Sequence, residues 1–358
     1  MRLKSVLNDP KYYFNRLLQE AEIQTGIHCS KPSEVWLKLT ERCNCRCEMC
    51  DIWRQNSSAD GELTPRDWEK VLLGLRQWLG KKHIWFTGGE PFLRKDCIDL
   101  IRYGSSIGLS IAVITNGILL RPDQMRLLIE GGLKEYHVSI DSMDSQIHDN
   151  LRGIKGAHKR ASENVLALKG ALNRNGKKMK IVIKTIIMGY NADGVIPLLE
   201  WTEKNDFNEI KFQALESNLE GINDVNWFKS SPYWPTGSKL EKTVEVMDEL
   251  ISKKRYGARI YNSVGELENM KSYFLDPVSY YSMVQDHTLG NKANIIRCQN
   301  VIGWMEILSR GGLRVCRHMP PQGDVRLIGP RKLWMNRPKC LQDPSRVCFK
   351  TNTDRINA

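Results

Sequence analysis

Cys43-Asn44-Cys45-Arg46-Cys47-Glu48-Met49-Cys50 follows directly on Val35–Thr40, a run whose apolar and β-branched content predicts a strand. Cys43, Cys47 and Cys50 are spaced C-x3-C-x2-C. Thiolates that close in one short loop can wrap an iron–sulfur cubane, the usual setting of a [4Fe–4S] cluster. Three ligands leave the fourth iron open, as a catalytic metal requires and a structural one does not. Cys45 fits neither interval and reads as a bystander. A zinc site or plain buried thiols are the alternatives. Zinc knuckles and ribbons pair C-x2-C units with a fourth Cys or His at a defined distance, and no such partner follows closely here.

Outward from this loop, strand-like runs recur at His83–Thr87, Ser110–Thr115, Glu135–Ile140, Lys180–Ile187 and Glu209–Leu215. Amphipathic helical segments fill the gaps: Pro65–Leu79, Asp96–Tyr103, Pro122–Glu130, Ala157–Arg174 and Ile196–Asn205. Thr64 is an N-cap, with Pro65 at the first helical position. Such alternation means an α/β fold with a parallel sheet and right-handed crossovers, as an open doubly wound sheet or a partial barrel. Ligand sites of these folds lie at the carboxyl ends of the strands. Gly and Asn cluster there, in Thr87-Gly88-Gly89, Thr115-Asn116-Gly117 and Gly189-Tyr190-Asn191. After about Glu216 the alternation breaks. A Trp-, Ser- and Pro-rich stretch leads to a helix near Ser238–Lys254. The expected organisation is an N-terminal helical extension (1–32), a core barrel (33–235), a helical connector (236–294) and a small C-terminal domain (295–358).

Composition narrows the setting. The 358 residues are 41% hydrophobic and 26% charged, ordinary for a globular protein. No apolar run reaches membrane-spanning length, and the charged N-terminus has no signal-peptide core, so a cytoplasmic location is expected. A reducing compartment turns the ten cysteines from disulfides towards metal binding or redox work. The net charge of +12 fits an anionic partner without choosing one. Residues 311–358 carry ten Lys/Arg against three Asp/Glu, which reads equally as solvated surface or as a phosphate contact.

The C-x3-C-x2-C loop after the first strand resembles the cluster-binding signature of the radical S-adenosylmethionine (SAM) superfamily. The resemblance implies a partial (β/α)6 TIM-like barrel, with SAM chelated at the open iron and cleaved by one electron to a 5′-deoxyadenosyl radical. Met49 stands where the family often has an aromatic residue against adenine; its thioether can pack on a π-face. Gly88-Gly89-Glu90-Pro91 looks like the GGEP motif that receives the methionine amine. The glycines let backbone approach the ligand, and Glu90 can accept from the amine. Thr115-Asn116-Gly117 is similar to the family's TNG element, and Ser139-Ile140-Asp141 to its ribose-contacting segment. His148-Asp149-Asn150-Leu151-Arg152-Gly153 resembles an HD-x2-RG stretch of members with auxiliary clusters. Arg152 would suit the SAM carboxylate; helix caps at Ser139 and Asp141 and a surface ion pair at Arg152 are the plainer readings. Gln213 is placed either against adenine or at the core edge. The resemblance spans roughly residues 33–216.

Cys298, Cys316, Cys340 and Cys348 remain near the C-terminus. Trp304–Leu308, a Gly311-Gly312 turn and Leu313–Val315 read as a hairpin, with Cys316 ending its second strand. This order looks like the SPASM and Twitch auxiliary domains, and four cysteines match a second [4Fe–4S] cluster of the shorter, Twitch type. Structural zinc is the alternative. Cys29 and Cys97 read as buried thiols. A fully ligated second cluster favours electron acceptance, hence net oxidation of a small sugar-like metabolite. Peptide modification is the alternative, set second because only about thirty residues precede the first strand, too few for a leader-binding domain. Flavodoxin or ferredoxin is the expected electron donor. A zinc and nucleic-acid-binding protein is the rival from another class; no RNA-binding or helix-turn-helix signature supports it.

Overall fold

The structure, a computed structural model, describes residues 10–55, 58–216, 226–278, 303–316 and 319–338. Six parallel strands form its centre: β1 (Glu34–Thr40), β2 (His83–Gly88), β3 (Ser110–Thr115), β4 (Glu135–Ser139), β5 (Lys180–Ile187) and β6 (Glu209–Ala214). They lie side by side in sequence order, so each crossover moves one place along the sheet. The sheet is open, a partial (β/α)6 barrel, with β6 at one edge.

Each strand is two-faced. Val35, Leu37 and Leu39 of β1, Ile84 and Phe86 of β2, and Ile111 and Val113 of β3 are completely buried. The alternate positions carry Trp36, Lys38, Trp85, His137, Lys184, Lys211 and Gln213. A fully covered parallel sheet would be apolar on both faces. The polar series marks the face that lines a cavity.

The helix Pro65–Leu79 begins at Thr64, whose hydroxyl accepts from the Asp67 amide while Asp67 accepts from the Thr64 amide. This capping box, with proline in the first turn, starts the helix where the sequence predicts. Trp68, Val71, Leu72 and Leu75 form its buried stripe.

The C-terminal hairpin is not set apart from this sheet. Its first strand, β7 (Trp304–Ile307), pairs in parallel with β1, Val35 opposite Met305, and β8 (Leu313–Arg314) pairs antiparallel with β7. The kinked helix Val325–Met335 then packs on Pro65–Leu79. Trp334 donates to the Ser30 carbonyl (2.8 Å), and Arg337 pairs with Glu22 of the helix Pro10–Thr25. No helix among the described residues is long and apolar enough to cross a membrane.

Candidate functional site

The cysteine loop leaves the carboxyl end of β1 and is held by neighbouring backbone. Gly89 N–H donates to Thr40 O and Glu90 N–H to Arg42 O, both at 2.8 Å, and Arg46 N–H donates to Arg152 O at 2.9 Å. These approaches explain three glycines. A Cβ on Gly88, whose φ is +139°, would lie 2.2 Å from Thr40 O; one on Gly89 would lie 2.2 Å from Arg42 O. One on Gly153 would lie 2.5 Å from Arg46 O. Only glycine lets the three loops touch. The Arg46 guanidinium binds the carbonyls of Cys43 (2.7 Å) and Cys45 (2.9 Å), and the Trp53 indole donates to Cys47 O (2.9 Å).

Cys45 is no bystander in this loop. It is buried, its amide donates to Cys43 Sγ at 3.4 Å, and its thiol lies beside those of Cys43 and Cys47. That contact, helped by the Arg152 charge and opposed by burial, pulls the Cys47 thiol down to about 6. The same donor lowers Cys43, whereas burial raises Cys50. Thiolate character beside a buried cation is what iron ligation requires. Three thiols on one short loop, two of them lowered, suit a cluster that leaves its fourth iron open.

Glu90 is engaged inside the protein. Its carboxylate is completely buried and accepts from Phe92 N (3.1 Å), Thr115 Oγ1 (2.8 Å) and Asn116 N (2.8 Å). Burial outweighs these donors and raises its pKa to about 7. Asn116 in turn donates to Asn44 Oδ1 of the cysteine loop (2.8 Å). Glu90 thus ties the turn after β2 to the turn after β3. Glu90→Ala would leave three buried donors without an acceptor, each costing about 1–3 kcal/mol. The expected outcome is a destabilisation of several kcal/mol in denaturant melts, with Glu90→Gln much milder. Equal stability of Glu90→Ala and wild type would contradict this role.

Asp141 and Arg152 meet at 2.7 Å, Asp141 fully buried, so the expected surface ion pair is an interior one. The Arg152 Nε is buried without a hydrogen-bond partner among the described residues, which leaves a donor for a bound anion. His148 Nδ1 accepts from the Asp141 amide (3.1 Å), and Asp149 accepts from the amides of Gly156 and His158. Neither Ser139 nor Asp141 caps a helix; Asp144 caps Ser145–Arg152. Met49 is buried at the loop's end.

Gln213 lines a cavity of about 270 Å³ on the polar face of the sheet. Trp36, Trp85, His137, Lys184, Lys211 and Tyr261 share its wall. Sequence reasoning missed these residues; the signal was the alternating polar positions of the strands.

Of the C-terminal set, Cys316 is buried and lies two residues beyond β8; Cys298, Cys340 and Cys348 fall outside the described residues. Cys97 is buried as expected, but Cys29 is exposed. The short loop from Gly26 to Lys31 leaves its side chain at the surface while its amide binds Glu22.

Comparison with known proteins agrees with this geometry. Residues 37–201 match the Radical SAM superfamily model, and that segment is a radical SAM domain, with a [4Fe–4S] cluster and SAM as its cofactors. The PqqA peptide cyclase of Bradyrhizobium diazoefficiens is 32% identical over 132 residues, 37% of this chain and 34% of that protein. The AdoMet-dependent heme synthase of Methanosarcina barkeri is 35% identical over 140 residues, 39% of this chain and 40% of that one. The chain thus spans little more than a third of the length of these relatives. Streptococcus suis SuiB, solved with S-adenosylmethionine bound, superposes with a TM-score of 0.60 at 16% identity, covering 91% of this chain and 68% of that one. At that identity the likeness speaks for the fold alone.

Proposed function

We propose that this chain is a radical SAM enzyme that modifies a peptide. The observation that carries the reading is the Cys43/Cys47/Cys50 loop, fastened beside Arg152 at the carboxyl end of the sheet. When bound, the cluster and SAM supply a one-electron cleavage of the sulfonium, giving a 5′-deoxyadenosyl radical able to take a hydrogen atom from substrate. The protein's part is placement. Cys43, Cys47 and Cys50 hold the cluster, and Met49 packs on adenine. Gly88 and Gly89 frame the methionine amine, with Glu90 bracing that turn through Thr115 and Asn116. Ser139, Asp141 and Gln213 border the nucleoside, and Arg152 offers its Nε to the SAM carboxylate.

For the substrate, peptide modification displaces oxidation of a sugar-like metabolite as the leading reading. The relatives are named for peptide cyclisation and haem synthesis, and none of those described for carbohydrate chemistry. A cavity of about 270 Å³ is smaller than the ~300–1,000 Å³ sites of drug-sized ligands. It suits one side chain of a longer substrate better than a macrocycle. The test is anaerobic incubation of the reconstituted protein, SAM and dithionite with short peptides encoded beside its gene, read by mass spectrometry. Substrate-dependent modification of a peptide is expected. Turnover confined to a panel of sugars and aminocyclitols would restore the metabolite reading.

A further inference from the structure

We propose that His148 is a positioning residue for SAM, which holds Asp141 so that the Arg152 guanidinium keeps one edge free for the SAM carboxylate. The inference rests on the placement of that carboxylate at Arg152 given above, and adds what fixes Arg152 there. It is independent of the substrate.

One helix supplies both grips. His148 and Arg152 lie four positions apart in the helix Ser145–Arg152, and so on one face of it. Both reach Asp141, two residues beyond the end of β4. His148 Nδ1 accepts from the Asp141 amide at 3.1 Å, and Arg152 Nη2 pairs with the Asp141 carboxylate at 2.7 Å. The helix is fixed at both ends. Asp144 accepts from the amides of Gln146 (2.8 Å) and Ile147 (3.2 Å) at its start. At its end Gly153 turns with a φ of +63°, pressed against Arg46 O.

Asp141 is closed on its other sides. Its carbonyl accepts from Asn191 Nδ2 at 2.8 Å. Asn191 also donates to Ile186 O and accepts from Met188 N, both at 2.8 Å. Thr185 Oγ1 and the Ile186 amide stand 3.4 Å from Asp141 Oδ1. Gly189-Tyr190-Asn191, read from sequence as a turn, thus clamps the end of β4 to β5. His148 is the contact that joins the Asp141 backbone to the helix carrying Arg152.

The pairing leaves a donor in reserve. Asp141 Oδ2 and Arg152 Nε are both buried, and neither makes a hydrogen bond among the described residues. The two charges therefore meet through Nη2 while the Nε edge, which a carboxylate can take, stays open. The Arg152 carbonyl accepts from the Arg46 amide at 2.9 Å, with Cys47 Sγ 3.8 Å away. Arg152 thus links the cysteine loop to Asp141, and a shift of Asp141 is felt at its Nε.

His148 does this as a neutral acceptor. It is completely buried; burial first, and then the Arg152 charge, bring it down to about 2. An imidazole that accepts through Nδ1 carries its proton on Nε2. A ring that stays neutral and offers one lone pair to a backbone amide serves placement, not acid–base chemistry.

The test titrates SAM calorimetrically into cluster-reconstituted protein without reductant, so that none is cleaved. The second probe is 5′-methylthioadenosine, which lacks the carboxylate and the amine. Arg152→Gln is the reference. It should weaken SAM binding about ten- to a hundredfold, the worth of one charge-assisted hydrogen bond, and leave methylthioadenosine unchanged. His148→Leu removes the acceptor and should weaken SAM about tenfold, again without moving methylthioadenosine. His148→Asn, whose Oδ1 stands where Nδ1 stood, should bind SAM within about threefold of wild type, although the smaller side chain should melt lower. His148→Gln carries its amide one carbon too far and should follow leucine, which covers a leucine variant that does not fold. Equal losses in His148→Asn and His148→Leu would make this a packing position and overturn the proposal, as would a parallel loss of methylthioadenosine affinity. Wild-type SAM affinity in His148→Leu beside a weakened Arg152→Gln overturns the positioning role alone. Wild-type SAM affinity in Arg152→Gln overturns it together with the placement of the carboxylate.

Discussion

Replacing Cys43, Cys47 and Cys50 together with alanine is expected to abolish reductive cleavage of SAM and to remove about four iron and four sulfide per chain, the content of one [4Fe–4S] unit. The fold should survive. The contacts that seat the loop run through backbone, from Gly89 to Thr40, Glu90 to Arg42 and Arg46 to Arg152. The thiols add only longer contacts, Cys47 Sγ to Arg152 O at 3.8 Å and Cys45 N–H to Cys43 Sγ at 3.4 Å. The buried residues of β1 and β2 beneath, Leu37, Leu39, Ile84 and Phe86, are untouched by the substitutions. Cys45→Ala is the control. It removes the thiol that contacts Cys43 and Cys47 and leaves the C-x3-C-x2-C ligands in place, so iron content should be retained. Iron and sulfide analysis, with circular dichroism as the check on folding, reads both variants. Cleavage of SAM at the wild-type rate by the triple variant would remove the cluster from this loop.

The second large effect concerns the C-terminus. If Cys298, Cys316, Cys340 and Cys348 hold a second [4Fe–4S] cluster, the triple variant above keeps about four iron per chain and wild type holds about twice that. Replacing the four C-terminal cysteines with alanine should halve the iron while leaving substrate-free SAM cleavage, because the Cys43/Cys47/Cys50 ligands stay in place. Product formation should fall to background, since the second cluster is proposed as the electron acceptor. Cys316 gives this a structural footing. It is buried just beyond a hairpin whose first strand pairs with β1, the strand that also carries the first loop. Stoichiometric zinc in the triple variant would make the C-terminal cysteines a structural clip, and the electron-acceptor role would go with it.

The strands were legible because each is a short β-branched run between turn residues, and Lys180–Ile187 and Ser110–Thr115 have the expected limits. Pro65–Leu79 was legible from its cap, since Thr64, Pro65 and Asp67 act locally. Interactions between distant segments were not. Nothing in Trp304–Ile307 announces that it joins β1 in parallel, a pairing between segments some 270 positions apart in the numbering. Glu90 shows the same limit within the site. Its place in a GGEP motif predicts a contact with ligand; that Phe92, Thr115 and Asn116 brace it from within the protein was not visible. Arg152 and Asp141 were both marked as site residues without their pairing being visible, because eleven positions and a helix lie between them. The cavity lysines were missed for a different reason. In KIVIKTII and EIKFQA they read as ordinary strand polar positions, and only the register brings them face to face.

One measurement bears most directly on the central claim. Anaerobically reconstituted wild-type protein, with its iron quantified, is incubated with SAM and dithionite, and 5′-deoxyadenosine and methionine are followed by chromatography. A radical SAM enzyme releases the two in equal amounts, dependent on both dithionite and the Cys43/Cys47/Cys50 loop. SAM left intact by protein carrying its full complement of iron and sulfide would contradict the account.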